Sequence, residues 1–372
     1  MAELPRILLS APDVGPAERK ALLSSFDDGW IAPVGPDLDA FEVELAAYTS
    51  SEACVALASG TAALHLALLG VGVRHGDEVV VQSATFAASA FAVMHAGAQP
   101  VFIDSEPGSW CLDPAVLADF LATRADSDRL PAAVMPVDLY GSTADYVAIN
   151  KVCAEYGVPI VRDAAEALGS ISTSGPLGEL DIPTALSFNG NKIITTSSGG
   201  ALLGPPDMVE RARYLATQAR QPVLHYEHVD IGFNYRMSNL LAALGRAQLE
   251  DLEKKIERRS DIAERYRDAF PDFVWCPFEQ TPRPNNWLTV AILPSGDPLP
   301  ICESLSSLGI EARPAWKPMH QQPVFAQNEM VHGEGIADAL FASGICLPSG
   351  STLSDDDVDR VIASVHSVLG RA

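Results

Sequence analysis

The chain has 372 residues, of which 48% are hydrophobic and 20% charged, and its formal net charge is −23. The length favours two lobes over one and gives ample material for a large core. Such acidity argues against a general nucleic-acid binder, because phosphate contacts need a basic surface; one basic pocket for a small phosphate-bearing ligand can still sit inside an acidic shell.

The opening stretch MAELPRILLSAPDVGP has no basic start followed by a long apolar run, so no signal peptide is expected. No segment reaches the length of a membrane-spanning helix. The expectation is a cytoplasmic protein that contacts neither membrane nor nucleic acid. Cys54, Cys111, Cys153, Cys276, Cys302 and Cys346 are scattered, without a CxxC pair. Buried free thiols in a reducing compartment are expected, and no His/Cys cluster has the spacing of a metal site.

Along the first two-thirds, ACVALAS, DEVVVQS, QPVFID, AAVMPVD and PIVRDA each predict a buried strand. TAALHLALLGVGV, TFAASAFAVMHAG and ADYVAINKVCAEYG, between them, have helical apolar spacing. Short, nearly continuous apolar runs suit a parallel sheet covered on both faces. The alternation therefore predicts an α/β three-layer sandwich with a mostly parallel central sheet and right-handed crossovers. Ligands in such sheets bind at the carboxyl ends of the strands. ALSF and GALLG add two strands, and one long helix is predicted from Ser238 to Phe270. After it come a strand in WLTVAIL, a helix in PLPICESLSSLG, a strand in GICLPS and a last helix from Asp355. The expected division is a large domain over 1–250 and a smaller α+β domain over 251–372.

Three segments carry chemistry. SGTAAL, Ser59 to Leu64, follows a strand and opens a helix, so its free N–H groups can serve an anion or simply be capped. Gly60 admits close backbone approach and Thr61 adds a hydroxyl. GVGVRHG looks like a dinucleotide fingerprint but follows a helix with the wrong spacing, which rejects that reading. In PIVRDAAEALG, Asp163 ends an apolar strand and Glu166 lies about one turn on. Asp163 can cap the next helix or pair with a cationic nitrogen such as a pyridinium. In SFNGNKIITTSSGG, Lys192 sits in a loop among Ser187, Asn189 and Asn191. A loop lysine is ordinarily solvated; held in such a polar pocket, it can attack a carbonyl.

SGTAAL, RDAAEALG, SFNGNKIITTSSGGALL and GFNYRMSNLLAALGRAQL occur in one order over most of the chain. Together they resemble the DegT/StrS family of nucleotide-sugar aminotransferases, which depend on pyridoxal 5'-phosphate (PLP) and share the aspartate aminotransferase fold (fold type I). The SFNGNK form is most similar to enzymes acting on nucleotide-linked 4-keto-6-deoxy sugars. The resemblance implies that Lys192 holds the cofactor as a Schiff base and later shuttles the proton. It implies that Asp163 pairs with the pyridine nitrogen and that Phe86 stacks on the ring. Gly60, Thr61, Ser187 and Asn189 would hold the phosphate. Glu166, where many relatives have Gln, would lie near the ring hydroxyl. Asn234 would reach the phosphate in a neighbouring subunit, which implies a homodimer with shared sites. Trp30, Tyr140, Arg236, Lys317 and His320 are candidates for the sugar-nucleotide channel. The donor implied is an amino acid, glutamate first, and the acceptor a UDP-linked keto sugar. Two alternatives stand beside this reading: a pyridoxamine-dependent sugar dehydratase, whose relatives carry His in place of the lysine, and a non-catalytic regulatory protein on the same scaffold, which loss of Lys192 or Asp163 would favour; both residues are present.

Overall fold

The computed structural model describes residues 5–371. Two helices precede the first strand, and apolar spacing predicts neither. Each opens at a Gly–Pro step: α1 (Pro16–Asp27) after Gly15 and α2 (Pro36–Thr49) after Gly35. Proline's fixed φ suits a first helical position, where its missing N–H is no loss.

The strands of the large sheet are β1 (Ala53–Leu57), β2 (Glu78–Gln82), β3 (Gln99–Ile103), β4 (Ala133–Met135), β5 (Arg162–Asp163), β6 (Thr184–Ser187) and β7 (Gly200–Gly204). Their order runs β1-β7-β6-β5, then through parallel bridges Val134–Ile160 and Val137–Asp163 to β4-β2-β3. Only β7 runs against its neighbours, β1 and β6, so this sheet is mostly parallel as predicted. Between the strands lie α3 (Gly60–Gly70), α4 (Ala87–His95), α5 (Pro114–Asp126), α6 (Tyr146–Tyr156) and α7 (Pro206–Ala216).

Side chains alternate across a strand, so each strand feeds two cores. Val79 and Val81 pack with Leu64, Ala90, Val93 and Leu215 from α3, α4 and α7. Val80 faces the other way, with Phe41, Leu121 and Ile149 from α2, α5 and α6. The carboxyl ends of β5 and β6 and the amino ends of α3 and α4 thereby meet at one edge, where an α/β sheet binds its ligand.

The long helix predicted over 238–270 is two: α8 (Asn239–Glu250) and α9 (Leu252–Ala269). Asp251 breaks it, at φ −102° and ψ 6°, ending one helix and starting the other. The apolar pattern continues through the break, which is why spacing alone reads one helix. α9 then sends Ile262, Tyr266 and Phe270 into a separate core.

That second core lies against an antiparallel sheet of β8 (Val274–Trp275), β9 (Thr289–Ile292), β10 (Arg313–Pro314) and a strand at Gly344–Leu347, with α10 (Pro298–Ser307). Between β10 and the last strand lie β11 (Met330–Val331) and α11 (Ile336–Ser343); the Gly344–Leu347 strand is β12, and α12 (Asp355–Val368) ends the described fold.

Two segments cross the expected boundary at residue 250. Ile7 bridges Ile310 and packs in the second core. β11 adds to the large sheet, parallel to β3. The Asp104 carboxylate locks that crossing, accepting the N–H groups of Gly333, Gly335 and Ala337 at 3.2, 2.7 and 3.0 Å. All six cysteines are buried and free, as expected. Among the described residues no helix is long and apolar enough to cross a membrane.

Candidate active site

A cavity of about 250 Å³ opens where α3 and α4 begin and β5 and β6 end. Of the residues singled out in the sequence, Gly60, Thr61, Phe86, Asp163, Glu166, Ser187, Asn189 and Lys192 line it. Residues 130 positions apart in the chain are thus brought together by the crossovers of the sheet.

Ser59 caps α3, its hydroxyl accepting the N–H of Ala62 at 3.0 Å. The N–H groups of Gly60 and Thr61, in the first turn, have no helical partner one turn back. They face the anion-binding end of the helix dipole. A Cβ on Gly60 would stand 2.9 Å from Cβ of Ser187, so only glycine lets the helix start approach β6 this closely. Across the cavity, Phe86 precedes α4 and is 59% exposed, its ring edge-on to Trp316 at 6.1 Å.

Asp163 sits at the end of β5 and is 4% exposed. Its Oδ2 accepts the Ser89 hydroxyl at 2.7 Å and its Oδ1 the N–H of Ala165 at 3.1 Å. Thr85 stands 2.7 Å from Ser89, so a chain of hydroxyls ends on this carboxylate. Glu166 is 5% exposed, and its Oε2 accepts the N–H of Tyr140 at 2.8 Å. Burial pushes the carboxyls of both Asp163 and Glu166 above their ordinary range, against the opposing pull of their hydrogen bonds and of Lys192.

Lys192 reaches the same space from the loop between β6 and β7. That loop is pinned by Phe188 N–H to Gly199 O at 2.9 Å, Thr196 N–H to Phe188 O at 3.0 Å and Thr195 N–H to the Gln248 carboxamide at 3.1 Å. Gly199 turns the chain at φ +145°, where a Cβ would stand 2.6 Å from Cε of Met237. The Lys192 ammonium lies 3.5 Å from Oε1 of Glu166 and 3.9 Å from the centroid of the Trp287 ring. The cavity therefore joins an anion-binding helix start, two buried carboxyls and one amine.

The other residues singled out lie elsewhere. Asn234 is exposed outside the cavity, and its side-chain oxygen accepts from Gln218 at 3.0 Å. Arg236 is mostly buried, its Nη1 on Oε1 of Glu42 at 2.5 Å and on the Ala56 carbonyl at 3.1 Å, which gives it a packing role between α2 and β1. Trp30 is 44% exposed in the α1–α2 connection. Tyr140 is fully buried behind Trp316, whose backbone N–H donates to its hydroxyl at 2.9 Å. His320 is held between the Ser83 hydroxyl at 2.7 Å and Asp338 at 2.9 Å. Lys317 lines a neighbouring groove that also includes Arg313 and shares Asn191 and Trp316 with the cavity.

Thr85, Ser89, Trp287 and Trp316 also line the cavity. Thr85, Ser89 and Trp287 lie inside segments quoted above, yet nothing in their spacing marks a role. Trp316, between Pro314 and Pro318 and more than 120 positions from Lys192, has no local signal at all.

Comparisons with known proteins bear on this geometry. A model of the DegT/DnrJ/EryC1/StrS aminotransferase family matches residues 12–366. The chain is 44% identical to EpsN of Bacillus subtilis, provisionally named as a pyridoxal phosphate-dependent aminotransferase, over 96% of this chain and 94% of that one. It is 36% identical to a GDP-perosamine synthase of Caulobacter vibrioides over 99% of this chain and all of that one. Among solved structures, the PLP form of Spr1654 from Streptococcus pneumoniae, provisionally named a sugar aminotransferase, superposes with a TM-score of 0.89 at 27% identity over 98% of each chain.

Proposed function

The chain belongs to the DegT/DnrJ/EryC1/StrS aminotransferase family of PLP enzymes, and from that premise we propose that it moves an amino group from an amino acid, glutamate first, to the keto carbon of a nucleotide-linked 4-keto-6-deoxy sugar. The single observation that carries this reading is the meeting of Lys192, Asp163 and the α3 amino end in one cavity.

The residues present fit PLP. The α3 start, closed against Ser187 by a glycine with no room for a Cβ, suits a phosphate. Thr61 and Asn189 stand beside it as further donors. Asp163 is a buried carboxyl with hydroxyl and amide donors but no ion-pair partner among the described residues, the complement of a pyridinium. Phe86 offers an aromatic face, and Glu166, between Lys192 and the Tyr140 amide, would take the ring hydroxyl. When bound, PLP supplies an electron sink that takes an amino group from one substrate and gives it to the next.

This chain's own groups do the rest. Lys192 would hold the cofactor and, once free, give and take the proton at the sugar's reacting carbon, acting as acid and base in turn. Glu166, 3.5 Å from Lys192, can accept the proton that the amine must lose before it bonds to a carbonyl. Asp163 would keep the ring nitrogen protonated, with Ser89 and Thr85 fixing the orientation of its carboxylate. Trp287 and Trp316 exclude water from one wall. Lys317 and Arg313, in the adjoining groove, are cations suited to a diphosphate.

We also propose a homodimer with shared sites. Leu224, Tyr226, Val229 and Ile231 are more than two-thirds exposed on one projecting segment, beside Asn234. An apolar segment left in water this way suits burial against a second copy, where Asn234 could reach the other cofactor's phosphate.

The nucleotide is read by assay. The resemblance points first to UDP, and the full-length likeness to a GDP-perosamine synthase sets a GDP-linked sugar beside it. Each of the UDP-, GDP- and dTDP-linked 4-keto-6-deoxy sugars, incubated with glutamate, is read by mass spectrometry. The reading predicts that one gains an amino group while 2-oxoglutarate appears. If none of them does so with cofactor-loaded protein, the proposed substrate class is wrong.

A further inference from the structure

Arg259, on α9, is 1% exposed and carries its charge into the protein without a carboxylate in contact among the described residues. Its Nη1 donates to the carbonyls of Trp287 at 2.5 Å and Ser349 at 3.0 Å, and its Nη2 to the hydroxyl of Ser10 at 3.1 Å. Nε has no partner. A buried cation whose hydrogen bonds all go to neutral acceptors is costly, and burial pulls this guanidinium down to about 10, against a smaller opposing pull from the Asp13 carboxylate. A packing role does not need such a group, since an apolar side chain of similar volume would fill the space.

The acceptors all lead one way. The Ser10 hydroxyl in turn donates to the carbonyl of Asn191 at 2.8 Å. Trp287, whose carbonyl the guanidinium holds, donates its indole N–H to the same Asn191 carbonyl at 2.7 Å. That carbonyl belongs to the peptide that enters Lys192, whose N–H in turn donates to Asn189 at 3.0 Å. The Trp287 ring also lies 3.9 Å beneath the Lys192 ammonium. Two routes therefore run from one guanidinium, through residue 10 and through residue 287, to the backbone and the tip of the same lysine.

We propose that Arg259 is a positioning residue that fixes the Asn191–Lys192 peptide and the Trp287 ring, and so aims the Lys192 amine into the cavity. The inference rests on the reading of Lys192 as the cofactor-holding residue. It makes α9 the element through which the smaller lobe is coupled to the reacting amine, because the same guanidinium holds Ser349. Positioning by a buried group at one remove is worth a large factor, since a small misplacement of a reacting amine is felt steeply.

The test uses full-length protein with PLP itself. Uptake is measured by titration, the absorbance of the lysine-linked cofactor is followed against pH, and thermal unfolding of cofactor-free protein is recorded alongside. Arg259→Met is expected to weaken uptake by on the order of tenfold and to move the midpoint of the absorbance titration. Arg259→Lys, which keeps a cation able to reach one of the acceptors, restores part of both. Ser10→Ala removes one relay while leaving the buried cation, and it is expected to shift the same two readouts by a smaller factor with nearly unchanged unfolding. If uptake and titration midpoint stay at wild-type values in Ser10→Ala and in whichever Arg259 variant folds, the inference is overturned, and a fall in thermal stability alone assigns Arg259 to packing. Wild-type protein that takes up no PLP overturns the reading of Lys192, and with it this proposal.

Discussion

Arg162 and Asp163 are neighbours in β5, and both are buried, but their surroundings are opposite. Arg162 points into the core between the sheet and α6, where its Nε donates to Asp138 at 2.7 Å and its guanidinium lies 4.2 Å over the Tyr146 ring. Asp138 is completed by the Tyr146 hydroxyl and the Ala144 N–H, at 3.0 and 3.1 Å. Asp163 points out of the opposite face and is held only by Ser89 and a backbone N–H, with no ion-pair contact among the described residues. The strand's twofold alternation delivers both arrangements from adjacent residues. A buried charge paired with an opposite charge belongs to the architecture, whereas a buried carboxyl without such a pair at a strand's carboxyl end awaits a ligand.

Three experiments sharpen that contrast. The largest effect is expected at Asp163→Asn with cofactor bound, where loss of the anionic partner should slow turnover by about 10²–10³-fold, the scale of one aligned electrostatic group. The same variant should raise the stability of cofactor-free protein. Burial lifts the Asp163 carboxyl above its unfolded value, so the unfolded chain releases that proton first and stability falls as pH rises through this window. Asparagine removes the penalty, by roughly 0.5–2 kcal/mol at neutral pH, as urea unfolding would read. An Asp163→Asn protein that turns over normally, or is less stable without cofactor, breaks the distinction.

On the paired side the sign is reversed. Arg162→Met strands the Asp138 carboxylate and should destabilise by about 3–5 kcal/mol, whereas replacing both partners with apolar residues should recover much of that loss. Equal losses in the single and double variants would show that the charges are not paired in the sense described. The smallest effect concerns His65, 5% exposed and edge-on to Phe233 at 4.9 Å. Burial first, and then His95, lower its pKa to about 4. The unfolded chain therefore binds a proton that the native state refuses, and stability is lost as pH falls from the ordinary histidine value toward 4. His65→Leu should flatten that part of the acid unfolding curve; an unchanged curve would assign the acid sensitivity elsewhere.

Much of the cavity was legible in the sequence because its parts are local. The α3 start, the end of β5 and the loop of Lys192 each carry their own signal within a dozen residues: a glycine before a helix, a carboxylate closing an apolar run, a lysine among small polar residues. The walls were not legible, because Trp287 and Trp316 arrive from the far side of the α9 crossing. Nor does any pattern reveal that Arg236 is held by Glu42, since that pairing depends on how α2 packs on β1. The break at Asp251 escaped for a related reason: a helix boundary without glycine or proline leaves the apolar period intact. The passage of β11 into the large sheet is likewise a tertiary event, fixed by Asp104 and invisible in a two-residue strand.

Whether the single amine of Lys192 holds the cofactor is read by borohydride reduction of native, coloured protein followed by peptide mass spectrometry. A reduced PLP adduct is expected on Lys192 and none in Lys192→Ala. An adduct on any other lysine, or protein that stays colourless with added PLP, contradicts that role of Lys192.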